Sequence, residues 1–139
     1  ISRKLQMRTY QELDSNLVQK IVAQQDQSMN YFLINHCSEQ DFLSFLPWLL
    51  STFEQAQGYY PKQALERMPA TALQHPVAQA FFARHFAQLD YFAQIALLKK
   101  LQGYTIDAAL AQSLQAQSGT RNSLREQLIQ ALIGVQQRQ

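Results

Sequence analysis

The residues able to hold a metal or act as a nucleophile in this chain are few: His36, Cys37, His75 and His85. His85 is the most suggestive, because it stands within the phenylalanine-rich stretch VAQAFFARHFAQLDYF (77–92). On a continuous helix at about 100° per residue, Phe81, Phe82, His85, Phe86, Leu89, Phe92 and Ala96 share one broad face. An imidazole in such an apolar wall is a good axial donor to haem or to a metal. A ligand normally needs a second ligand or an orienting partner, however, and the sequence supplies neither at a telling spacing. His85 is therefore expected to be a core or interface histidine.

His36 and Cys37 are adjacent, so on a helix their side chains diverge by roughly 100°. A zinc site draws four donors, commonly from pairs such as C-x₂-C or H-x₃-H, and no such pair is present. Nucleophilic chemistry at Cys37 would require a lowered pKa and a base close in space. The expected role of Cys37 is that of a small buried hydrophobe. His75, just ahead of Pro76, is expected to cap a helix entrance. No carboxylate recurs with histidine at the spacing of a di-metal bundle, and Asp90 is expected only to solvate its face. The four glycines, at 58, 103, 119 and 134, mark turns and ends rather than a phosphate loop. No catalytic residue, metal or cofactor is expected, and the chain is not read as an enzyme.

The elements that would position these residues are helices. The 139 residues contain 23 glutamines but only four glycines and four prolines, which favours helices with neutral outer faces. No segment shows sustained period-two alternation, so no sheet is expected. Thr9–Glu12 reads as a capping box, followed by Leu13, Leu17, Ile21 and Val22 on one stripe. That helix either runs on to about His36 or restarts near Ser28. Ser38-Glu-Gln-Asp41 signals a second start, and Pro47 should kink or break the helix spanning about 39–56. Gly58-Tyr-Tyr-Pro61 and Pro69–Pro76 read as connectors. The longest helix is expected over about 76–102, ending with Lys99 and Lys100 in its last turn before Gly103. Thr105 should cap a helix ending near Gly119, and Ser123–Glu126 a terminal one. The expected fold is an all-α, single-domain bundle of five to six helices over residues 1–139.

The totals narrow the function. A formal charge of +2 with scattered lysines and arginines lacks the continuous basic face of nucleic-acid binding. The pair 105–118 and 120–137 has the outline of a helix-turn-helix, with Arg121, Asn122, Ser123 and Arg125 on its second helix. Gln115 and Arg125, however, occupy places that normally pack small and aliphatic residues. No run approaches a membrane span. One cysteine forbids an internal disulfide, which suits a cytoplasmic location, although Ile1 in place of methionine points to a removed leader or to a piece of a longer chain.

The expected function is a non-catalytic interaction or regulatory module, self-associating as a homodimer or binding a protein partner. On the terminal helix, Leu124, Leu128, Ala131, Leu132 and Val135 form one stripe while Ile129 and Ile133 fall towards another side, making those two isoleucines the candidate interface. The alternative is a small-molecule sensor whose apolar pocket is lined by Trp48, Phe81, His85, Leu89 and Phe92.

Overall fold

The computed structural model describes residues 14–54, 58–119 and 123–137. Among them the chain is all-helical, without strands. Ten α-helices follow in order: α1 (Ser15–Ala23), α2 (Gln27–His36), α3 (Glu39–Ser44), α4 (Leu46–Ser51), α5 (Tyr60–Arg67), α6 (Ala70–Leu73), α7 (Pro76–His85), α8 (Tyr91–Leu101), α9 (Ala108–Ala116) and α10 (Ser123–Gln137). A 3₁₀ turn, Phe86–Gln88, stands between α7 and α8. The helices are more numerous and shorter than the expected five or six.

Side-chain caps explain several of the divisions. Asp14 accepts from the Leu17 N–H and opens α1; the Thr9–Glu12 box and Leu13 lie outside the described residues. The first helix does not run through to His36. Gln25 turns the chain with φ 55°, and Asp26 accepts from the N–H groups of Ser28 and Met29 to start α2. Ser38 and Asp41 form the expected capping box in both directions, at 3.1 and 2.9 Å. The expected kinked helix over 39–56 is two helices, broken at Phe45 (φ −111°, ψ 20°) and ended by tight turns after Ser51. Pro47 has no N–H to continue the ladder and sits in the first turn of α4, where none is needed. The Pro69–Pro76 connector contains the short helix α6.

The largest correction concerns the long helix expected over about 76–102. It is two helices meeting at a hydrogen-bonded break. Leu89 is extended (ψ 146°), its N–H donating to the Phe86 carbonyl at 3.1 Å. Asp90, expected merely to face solvent, is the N-cap of α8 and accepts from the Ala93 N–H at 2.8 Å. Gln94 is buried and donates through Nε2 to the Phe86 carbonyl at 2.9 Å. The Ala93 N–H and the Phe86 carbonyl at the break thus gain side-chain partners, which lowers the cost of interrupting a buried helix. Asp107, not Thr105, is the N-cap residue of α9, which ends at Ala116, short of the Gly119 turn.

Packing follows a regular rule through the first eight helices: α1 meets α4, α2 meets α5, α3 meets α6, α4 meets α7 and α5 meets α8. Later, α7 packs on α9, and α8 on α10. The buried apolar side chains form one connected cluster, from Val18 on α1 to Ile133 on α10. At its centre Phe42, Phe82 and Phe86 are each almost fully buried. Removing each from water contributes about 1.5–3 kcal/mol. Helix α8 is the most enclosed, with Ala93 through Leu98 and Leu101 all buried.

Candidate interaction groove

His85 ends α7 half-buried, its ring tilted over Phe81 at 4.3 Å between centroids. Its Nδ1 lies 3.1 Å from Gln88 Oε1. His75 caps α7 as expected, its Nδ1 accepting from the Val77 N–H at 3.2 Å. His36 is exposed, with Nδ1–H donating to the Phe32 carbonyl at 2.7 Å, while its neighbour Cys37 points into the core. Burial, reinforced by the negative charge of Asp41 and opposed by Arg67, pushes the Cys37 thiol up to about 12. Such a thiol stays protonated and unreactive at neutral pH. Among the described residues, no group of three or more His, Cys, Asp and Glu converges as a metal site would require.

The five residues expected to line one pocket are distributed over several surroundings. Trp48 is half-buried against Phe45. Phe81 borders a shallow cleft with Pro47, Leu50 and Val77. Leu89 packs on the edge of the core. Phe92 lies elsewhere, because the break at Phe86–Asp90 resets the helical phase and turns its ring outward, 59 % exposed. On α10, Ile129 and Ile133 are both buried in the core cluster, so their apolar surface is covered within the chain. Of the other apolar stripe, Leu124 and Ala131 are exposed while Leu132 is buried. Arg125 is half-buried and donates to Gln94 Oε1 at 2.7 Å and to the Gln117 carbonyl at 3.1 Å, binding α10 to α8 and to the end of α9. Those bonds turn its guanidinium inward, away from the base-reading role that a helix-turn-helix would give it.

Sequence reasoning missed a groove of about 510 Å³ on the outer face of α8. Its floor is Phe92, Ile95 and Ala96, with Tyr91 at one end and Leu124 of α10 at the side. These positions lie together because α8 begins at the Asp90 cap, so Phe92, Ala96 and Lys100 stack at intervals of four, as do Tyr91, Ile95 and Lys99. Tyr91 and Phe92 meet edge to face at 5.5 Å. Among the described residues the rim carries Lys62, Lys99 and Lys100 against a single acid, Glu66. Glu66 pairs with Lys62 at 3.3 Å on the outer face of α5, and Lys100 Nζ donates to the Met68 carbonyl at 2.9 Å. Lys99 is exposed. Three lysines against one glutamate make the described part of the rim net positive.

No family model, curated protein or solved structure matches the chain. No helix among the described residues is long and apolar enough to cross a membrane.

Proposed function

We propose that the chain is a non-catalytic helical interaction module, and that the groove on α8 docks an apolar helical segment of a partner protein flanked by acidic residues. The observation that carries this reading is the exposed aromatic floor: Phe92 is 59 % exposed, beside exposed Tyr91 and Leu124, and its neighbours Ile95 and Ala96 close the groove beneath. Aromatic anchors in a concave apolar site are what helix-in-groove recognition uses, with anchors spaced at i, i+3/i+4 and i+7. The net positive rim selects the flanks of the partner. A second copy docking face to face about a two-fold axis would set the lysines of one rim against the same lysines of the other. Acidic flanks avoid that repulsion.

Fluorescence anisotropy with a labelled helical peptide tests the reading, using leucines at helical spacing and glutamates at both ends. The glutamate-flanked peptide should bind, more weakly as salt is raised, while its lysine-flanked counterpart should not. Phe92→Ser should weaken binding about tenfold or more, equivalent to at least about 1.4 kcal/mol. Lys99→Glu should also weaken it. Equal binding of both peptides, or of Phe92→Ser and the parent chain, would refute the proposal. Light scattering adds a further discriminator: a dimer abolished by Phe92→Ser would make the groove a self-association surface instead. Displacement of the peptide by a small apolar acid would favour the sensor reading, since the groove volume lies within the range of ligand pockets.

A further inference from the structure

The rim of the groove on α8 is not charged evenly along its length. Among the described residues, Glu66 and Lys62 hold each other at 3.3 Å, so their charges cancel wherever the pair sits. The remaining positive charge of the lining belongs to Lys99 and Lys100, both in the last turn of α8. At the opposite end stand the rings of Tyr91 and Phe92, with the carboxylate of exposed Asp90 one residue further back. The rest of the described lining, Ile95, Ala96 and Leu124, is apolar. Beside Leu124, Arg125 is turned inward onto Gln94, and Glu126 accepts from the Gly119 N–H at 2.8 Å. Those two add one charge of each sign. The groove is therefore cationic at the C-terminal end of α8 and aromatic, with an acid beyond, at the N-terminal end. Between Phe92 and Lys100 the helix rises about 12 Å.

A docked helix has a polarity of its own. Acidic side chains are favoured in its first turn, at the positive end of the helix dipole, and disfavoured in its last. Full charges facing two lysines outweigh the half-charge of a helix end, so the acids decide which way round the partner lies. We propose, on the groove reading above, that the partner helix docks antiparallel to α8. Its acidic first turn lies at Lys99 and Lys100, and its apolar anchors follow two turns later over Phe92 and Tyr91. A rise of about 12 Å spans about eight residues, so the recognised segment carries its acids about seven or eight residues ahead of its main apolar anchor. At the other end Asp90 repels acids, so only the N-terminal flank of the partner needs to be acidic.

The experiment compares two labelled peptides of identical composition by fluorescence anisotropy. One carries a glutamate pair about eight residues ahead of leucines at helical spacing, and the other carries the same pair as far behind them. The first should bind at least about fivefold more tightly, with the difference shrinking as salt is raised. Lys99→Gln should reduce that preference at least about twofold, whereas Lys62→Gln/Glu66→Gln, which removes a neutral pair, should keep it. A nitroxide on the N-terminus of the first peptide should broaden the amides of Lys99 and Lys100 in the ¹⁵N-labelled chain more strongly than those of Tyr91 and Phe92. Equal affinity of the two peptides, an undiminished preference in Lys99→Gln, or stronger broadening at Tyr91 and Phe92 would overturn the assigned polarity and leave the groove reading in place. Failure of both peptides to bind would overturn the groove reading and the polarity together.

Discussion

At the scale of single residues, local chemistry decided each candidate. Cys37 is inert because burial, helped by the Asp41 charge, disfavours its thiolate. A thiol reagent at pH 8 should leave the native chain unmodified and react once denaturant unfolds it. The same shift carries a pH dependence. The unfolded thiol ionises near the ordinary 9.0 and the folded one only near about 12, so between those values the unfolded state holds fewer protons. Stability should therefore fall as pH rises from 9 towards 12, seen as a declining urea midpoint, and Cys37→Ala should flatten that decline. Tyr60, also raised to about 12 by burial, adds to the slope above its ordinary 10.0. His85 contributes a ring stack on Phe81 and one side-chain hydrogen bond at a half-buried site. His85→Leu keeps the apolar stack and should change stability by less than about 0.5 kcal/mol in a thermal melt. These roles were partly legible. The capping histidine at 75 and the Ser38–Asp41 box depend on neighbours within three residues, so sequence spacing suffices to find them.

At the scale of elements, the break between α7 and α8 is the decisive feature. Apolar periodicity runs across it without interruption, so residues 76–102 read as one helix. Two competing signals were present: Asp90 is a strong N-cap residue, and Gln94 follows it by four. Neither outweighs a continuous apolar pattern in a local reading; in the fold the Phe86 carbonyl accepts from both the Leu89 N–H and Gln94 Nε2, which fixes the break. Asp90→Ala should cost about 1 kcal/mol, with amide exchange accelerating first at Ala93 and Gln94. Loss of this cap with no change in exchange there would contradict the assigned role. The break also explains Phe92. Projected on a continuous helix it joins Phe81 and His85 in the apolar stripe; with the phase reset at Asp90 it faces outward and becomes the floor of the groove.

At the scale of the whole molecule, the core and the surface trade places with the sequence reading of α10. The two-sided apolar pattern of that helix left open which side meets the core. Packing against α8 and α9 buries Ile129, Leu132 and Ile133 and leaves Leu124 to the groove. Ile129→Ala should therefore cost about 2–5 kcal/mol through the cavity it leaves, and the loss should not vary with protein concentration. A concentration-dependent loss would instead place Ile129 at an interface between copies.

The sequence by itself determined the helical class, several caps and the turn glycines, because each rests on interactions between residues near one another in the chain. Tertiary structure alone decided where the long apolar stretch breaks, which face of α10 is buried, and that three helices bring lysines and aromatics together around one groove. The burial of α10 and the groove depend on partners 26 to 32 residues apart, such as Arg125 with Gln94 or Gln102 with the Leu128 carbonyl, which no local period encodes. The break rests on Asp90 and Gln94, three and eight residues from the groups they bond, and only packing decides that these bonds prevail over a continuous helix.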